Sequence, residues 1–166
     1  MSTARTFLLV VGLALLVALG WWLFPSNARR VRTRFQTLAT LVSVPAAEQD
    51  LARLARARKF GTMLANDIEV TFAEGAPPLT GRDTLMALVA RPPGLSGGVK
   101  VELTDLSVQI PSDGIQATST ARARLTYTDP HTNQPAAEEH GVSLEWRRID
   151  GEWLVAAARI EDVKRE

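Results

Sequence analysis

Residues 141 to 163 read GVSLEWRRIDGEWLVAAARIEDV, two apolar-rich runs separated by Asp150-Gly151. An Asp-Gly pair between such runs suits a two-residue type I′ turn, which needs φ > 0 at both positions and so sets the strand register. That register places Ile149 opposite Glu152, Arg148 opposite Trp153, Trp146 opposite Val155 and Leu144 opposite Ala157. One face of the ribbon then carries Val142, Leu144, Trp146, Val155 and Ala157, with the Arg148 guanidinium beside the Trp153 indole. A two-stranded ribbon is marginal in water, so the preceding chain has to supply more sheet and a cover of helices.

The strands ahead of the hairpin keep a period of two. Ile115 to Thr128 alternates cleanly, with Ala117, Ser119, Ala121, Ala123, Leu125 and Tyr127 on one side and Thr118, Thr120, Arg122 and Arg124 on the other. Its inner face is small, and could floor a pocket or let a helix pack closely. In Val99 to Ile110 the phase changes: Val99, Val101 and Leu103 are odd, Leu106, Val108 and Ile110 even. Such a change requires an extra residue, which predicts a bulge or sharp bend at Thr104-Asp105.

Further back the period becomes helical. Val31, Phe35, Leu38 and Val42 predict an amphipathic helix over 29–42 with its arginines on the opposite side. Pro45 suits the first turn of a second helix, whose stripe is Leu51, Leu54 and Ala55, and Phe60, Met63 and Leu64 continue inward after it. Ile68 to Phe72 reads as a short strand. Thr80 with Asp83 three residues on caps a short helix carrying Leu85, Leu88 and Val89, which Pro92-Pro93 ends; Gly94 to Gly98 then leads to the first long strand. Helix, helix, strand, short helix and four long antiparallel strands make an α+β domain with the helices gathered on one sheet face.

The amino-terminal segment differs from all of this. Phe7 to Phe24 is a run of about eighteen uncharged residues, the lower end of what crosses a bilayer core as a helix. Trp21 and Trp22 stand at one end, where indole rings favour the headgroup layer. A cleaved signal peptide is the alternative, with Ser26-Asn27-Ala28 as its small residues. The length of the run and the arginines that follow favour an uncleaved anchor. The expected organisation is a transmembrane anchor over 1–25, a basic amphipathic helix over 26–46 and the α+β domain over 47–166. The setting expected is a single-pass protein of a bacterial inner membrane, with the side of the domain left open.

Without cysteine the chain has no disulfide, thiolate nucleophile or zinc-thiolate site. Its net charge of +1 hides an asymmetry. Residues 29–59 hold eight basic and two acidic side chains, whereas residues 60–166 hold ten and sixteen. The basic block can be a solvated helix face or an attraction for anionic lipid headgroups, worth about 1 kcal/mol per residue at a membrane surface. Nucleic acid fits poorly, because the sheet carries no interleaved aromatic and basic stripe.

The order of elements, with Asn66-Asp67-Ile68-Glu69-Val70 closing the helices, Gly81-Arg82 opening the short helix and Arg148-Ile-Asp-Gly-Glu-Trp-Leu-Val155 at the last turn, resembles the nuclear transport factor two-like superfamily. That group includes SnoaL-like polyketide cyclases, ketosteroid isomerases and scytalone dehydratases. The resemblance covers roughly residues 47 to 163. It implies a cystatin-like cone, a curved and mainly antiparallel sheet wrapped around helices, often with a pocket inside and often dimeric through the back of the sheet. It implies no single activity, since one fold hosts enzymes, carriers and assembly domains.

The expected inner strand faces offer Ser119, Tyr127, His140 and Arg159 but no carboxylate. Tyr127 stands on a late strand rather than on a helix, where isomerases of this group place their tyrosine. Asp105 joins the candidate pocket because bulges re-aim side chains, giving Asp105, Ser119, Tyr127 and His140. Asp67 reads as part of the helix-to-strand junction. His131 and His140 have no carboxylate partner at ligand spacing, so neither a metal nor another cofactor is expected. Leu154, Ala156, Ala158 and Ile160 read as an apolar back face that a second copy would cover. The function expected first is a membrane-tethered, non-enzymatic binding or assembly domain. A SnoaL-like enzyme or carrier of a small apolar ligand is the alternative.

Overall fold

Ser26 accepts the Arg29 N–H at 3.3 Å through its hydroxyl and starts helix α1, Asn27–Val42. Its buried stripe is Val31, Phe35, Leu38 and Leu41, while Val42 is 39% exposed. The last apolar contact thus falls one residue earlier than the spacing predicts. The computed structural model describes residues 26–72, 76–91, 98–129 and 132–162. The anchor or signal peptide expected at Phe7 to Phe24, His131, the Pro92-Pro93 stop and most of the Gly94 to Gly98 stretch lie outside them. Among the described residues no helix is long and apolar enough to cross a membrane.

Helix α2 spans Asp50–Gly61, then come β1 Leu64–Phe72, β2 Leu79–Thr80, α3 Arg82–Ala90, β3 Val99–Gln109, β4 Gln116–Thr128, β5 Pro135–Ile149 and β6 Glu152–Asp162. The strands form one sheet in the order β2-β1-β6-β5-β4-β3, antiparallel except where β1 runs parallel to β6. The predicted α+β curved sheet under helices is therefore the observed architecture. Helix α2 corrects its predicted stripe, however: Leu51 and Leu54 are 81% and 50% exposed, and Ala57 and Phe60 face the core instead. Leu88 of α3 is likewise 40% exposed, and Thr80 belongs to β2 while Gly81 caps α3.

What turns α2 is an ion pair shielded from water. Arg56 holds both carboxylate oxygens of Glu48 at 2.7 and 2.8 Å, and also donates to the carbonyls of Leu41 at 2.7 Å and Val89 at 3.2 Å. One guanidinium thus joins the end of α1, the α1–α2 linker, α2 and α3. Its hydrogen bonds, ahead of the opposing cost of burial, hold the Glu48 carboxyl below its usual range.

The bend at Thr104-Asp105 is present: the β3–β4 register shifts between Thr104 and Ser107, and Asp105 adopts φ 54°. The hairpin register also holds for Ile149–Glu152, Arg148–Trp153 and Trp146–Val155. Beyond that a second bulge intervenes. Glu145 pairs with Ala157 and Leu144 with Ala158, so Ala156 has no partner and the phase of β6 shifts by one residue. Ala158 and Ile160 consequently pack on the core side with Val142, which corrects the expected Leu144–Ala157 pairing and divides the expected apolar back face. Leu154 and Ala156 alone keep the outward phase expected of that face.

The core centres on Trp146 and Trp153, 2% and 1% exposed. Phe35 meets Trp146 edge to face, with ring centroids 6.3 Å apart and planes at 62°. Trp153→Ala should destabilise the domain by about 3 to 5 kcal/mol, enough to unfold much of it; a melting temperature within a few degrees of the parent would contradict this placement. Arg56→Met should cost a similar amount, about 3 to 5 kcal/mol, because it removes both short hydrogen bonds to the Glu48 carboxylate and leaves it only the Arg53 guanidinium at 3.9 Å. The double variant Glu48→Leu with Arg56→Met should recover most of that loss in chemical denaturation.

Candidate functional site

Burial along the inner face changes steadily from one end of the sheet to the other. On β4 the inward residues Ala117, Ser119, Ala121 and Ala123 are buried, whereas Leu125 and Tyr127 are only half-buried. On β5 Trp146 and Leu144 are buried, Val142 and His140 half-buried and Glu138 exposed. The sheet is longer than its helical cover: α1 has sixteen residues and β5 fifteen, and a strand rises about twice as far per residue as a helix. Among the described residues the cone is thus filled at the hairpin end and less covered at the other.

A chain of polar side chains lies across this open end. The Tyr127 hydroxyl donates to Glu138 Oε1 at 2.5 Å, His140 Nε2 lies 3.3 Å from Glu138 Oε2, and His140 Nδ1 lies 2.9 Å from Asp162 Oδ1. Strand register explains the meeting. Leu125 pairs with Glu138, which makes Tyr127 a diagonal neighbour, and His140 pairs directly with Asp162. Glu138, His140 and Val142 alternate on one face of β5, as Ile160 and Asp162 do beyond the bulge of β6. The four polar groups therefore border an apolar floor of Leu125, Val142 and Ile160.

Their electrostatics follow from these contacts. The hydrogen bond to Glu138 raises the Tyr127 hydroxyl above its ordinary value, with desolvation and the nearby Glu138 and Asp129 charges acting the same way. The same bond is the main cause that lowers Glu138. Both His140 contacts are hydrogen bonds at once only when each ring nitrogen carries a proton. The longer one, to Glu138, is the one a ligand group can replace at least cost. The arrangement can orient a hydroxyl or carbonyl group and can take up or release a proton.

Of the four candidate pocket residues, Tyr127 and His140 are brought together, with Glu138 between them. Ser119 lies deeper, 1% exposed, where its hydroxyl accepts the Trp146 indole N–H at 2.7 Å. Asp105 turns away from this group and meets Arg122 at 3.4 Å. Arg159 is exposed on the opposite face, beside Glu69, Glu145 and Glu161 in a groove of about 420 Å³. Asp67 lies within β1 and pairs with Arg147 at 3.2 Å. Sequence reasoning missed Glu138 and Asp162. Glu138 shares the parity of His140 and Val142, a signal that was present. Asp162 had none, because its face depends on the β6 bulge. Among the described residues no cluster of His, Asp and Glu has the geometry to hold a metal.

A model of the SnoaL-like domain family matches residues 50–159. No curated protein matches the chain. Similar solved structures include a nuclear transport factor two-like protein with a cystatin-like fold from Novosphingobium aromaticivorans, 16% identical over 95% of this chain and 90% of that one, with a TM-score of 0.66. A putative dehydratase of the same fold family from Streptomyces avermitilis is 12% identical over 84% and 98%, with a TM-score of 0.65. A putative calcium/calmodulin-dependent protein kinase II association domain from Xanthomonas campestris is 14% identical over 83% and 89%, with a TM-score of 0.63. At such identities the likeness is one of fold.

The chain contains a single tyrosine, so phenolate absorbance reports Tyr127 alone. Its titration midpoint should lie above the ordinary value of about 10, and Glu138→Gln should lower it. The sign for stability follows: the contribution of Tyr127 is complete below its unfolded value and fades as pH rises through the folded one, while that of Glu138 is complete above its unfolded value and fades as pH falls through the folded one. An unshifted midpoint in the parent protein would dissolve the Tyr127–Glu138 pair.

Proposed function

Since the chain belongs to the SnoaL-like domain family, we propose that the open end of its cone binds a small, largely apolar molecule bearing a carbonyl or hydroxyl group and moves a proton on it. The observation that supports this reading is the hydrogen-bonded chain Tyr127–Glu138–His140–Asp162 bordering an apolar floor. Small-molecule sites are commonly apolar clefts with a few convergent polar groups, and this end of the sheet has that composition.

Each residue has a part in the proposed chemistry. Asp162 orients the His140 ring through Nδ1, as the third member of a nucleophile or base system does. His140 Nε2 then faces the ligand as general acid or base once the looser contact to Glu138 gives way. Glu138, held below the usual carboxylate range, is the weaker base and serves to position Tyr127. The reaction class is proton transfer next to a carbonyl, the step shared by isomerisations and dehydrations.

An assembly domain without catalysis is the second reading, and the filled interior around Phe35, Trp146 and Trp153 favours it. Homodimerisation through the back of the sheet would have to close over the polar groove of Glu69, Glu145, Arg159 and Glu161. In both readings Phe7 to Phe24 supports a membrane tether, a proposal that carbonate extraction of the full chain tests. A full-length chain released by carbonate would end it.

Proton exchange separates enzyme from assembly domain. The protein should accelerate deuterium uptake next to the carbonyl of small cyclic ketones in heavy water, read by nuclear magnetic resonance. His140→Gln should reduce that rate by about 10²- to 10⁴-fold, the usual share of general acid–base catalysis, and Asp162→Asn should reduce it by less. No acceleration by the parent protein, together with unperturbed resonances at the open end, would leave only the assembly reading.

A further inference from the structure

Exposed charge elsewhere on the domain is sorted between its two ends. Arg148 N donates to Ile115 O at 2.8 Å, so the β5–β6 turn and the β3–β4 turn share the end remote from the Tyr127–Asp162 chain. The first turns of α1 lie against this end, because Arg34 pairs with Glu152 and donates to the Trp153 carbonyl at 2.9 Å. Helix α2 finishes there too, since Val155 N donates to Met63 O at 2.9 Å just beyond it. Arg29, Arg30, Arg32, Arg58, Lys59 and Arg148 are all exposed, and three separate elements bring them to one side.

The acids at that end are largely engaged. Glu152 pairs with Arg34, Asp67 with Arg147, and Asp113 accepts the Ile115 N–H at 3.1 Å, leaving Asp150 in the turn itself. Glu138, Glu139 and Asp162 stand at the opposite end. Among the described residues the hairpin end is accordingly the more basic, whereas the acids of the open end are interspersed with Lys100 and Arg124.

We propose that the hairpin end docks on an anionic lipid surface and holds the open end of the cone away from it, towards water. Charge complementarity names the partner, and the chain's course names the orientation. The uncharged run Phe7 to Phe24 stops five residues before Arg29, a stretch of at most about 18 Å. A bilayer entered by that run therefore lies within reach of α1's first turn, where Arg29 and Arg30 border a groove of about 520 Å³ with Gly151 and Glu152. The Glu138, Glu139 and Asp162 carboxylates of the open end add no attraction to the same surface. This inference rests on the membrane reading of Phe7 to Phe24 and is independent of any chemistry at the open end.

The test uses the full chain in lipid nanodiscs of phosphatidylcholine, with and without phosphatidylglycerol, read by backbone hydrogen exchange. Exchange at residues 29–34 and 147–152 should slow when the anionic lipid is present and recover in high salt, while residues 138–140 stay unchanged. Replacing Arg29, Arg30, Arg58 and Lys59 together by Gln should abolish the slowing. In vesicle flotation of the same chain it should weaken the added affinity for anionic lipid by nearly three orders of magnitude, at roughly fivefold per residue near the surface. Exchange insensitive to lipid charge, or protection at residues 138–140 instead, would overturn the proposal. So would equal protection by soluble heparin with none from phosphatidylglycerol, which assigns the basic end to another polyanion. Flotation with phosphatidylcholine alone reports the tether separately, so loss of the tether and loss of docking give different results.

Discussion

Burying Trp146 is the constraint on which the rest of the domain depends. Its indole is 2% exposed near the hairpin end of β5, and an unpaired N–H there would cost about as much as several good contacts return. Ser119 of β4, its diagonal neighbour across the sheet, supplies the acceptor at 2.7 Å, and Phe35 of α1 closes over the ring. Small residues around Ser119, namely Ala117, Ala121 and Ala123, leave room for that ring and for α1. The same packing decides where function can reside. With the hairpin half of the cone filled, the inner face beyond Leu144 is the part that the described residues leave less covered.

The bulge at Ala156 decides which side chains border that end. An unbroken hairpin register would set Ala157, Arg159 and Glu161 on the inner face. One unpaired residue puts Ala158, Ile160 and Asp162 there instead. The floor gains an isoleucine in place of an arginine, and His140 gains an aspartate at 2.9 Å. The displaced residues line the polar groove on the other face. A single extra residue thus exchanges apolar and polar side chains across a whole strand end, the usual consequence of a period of two.

Charge is organised on a larger scale than either feature. Residues 29–59 carry the basic excess and the remaining sheet the acidic one. The antiparallel return of the chain brings the hairpin tip back to the start of α1 and leaves the acidic strand ends opposite. The Arg34–Glu152 pair and the Arg56–Glu48 pair fix the two helices within this pattern. Their roles differ, because the first is partly exposed and the second is shielded and shared among four chain segments.

Local rules were sufficient for the elements themselves. Asp150-Gly151 set the hairpin, the parity change at Thr104-Asp105 announced a bulge, and uninterrupted alternation in β4 placed Ser119 inside and Arg122 outside. In each case neighbouring residues differ enough in polarity to mark the phase. Ala156-Ala157-Ala158 does not, since three identical small side chains carry no phase at all, and the second bulge was invisible. Tyr127 and His140 were legible as inward-facing, but their joining through Glu138 and Asp162 was not, because it needs the registers of three consecutive strands, one of them shifted by the β6 bulge. The exposure of Leu51 and Leu54 was likewise decided in three dimensions: Leu and Ala recur at helical spacing on more than one side of α2, and only the Arg56–Glu48 pair and the carbonyls of Leu41 and Val89 determine which side turns inward.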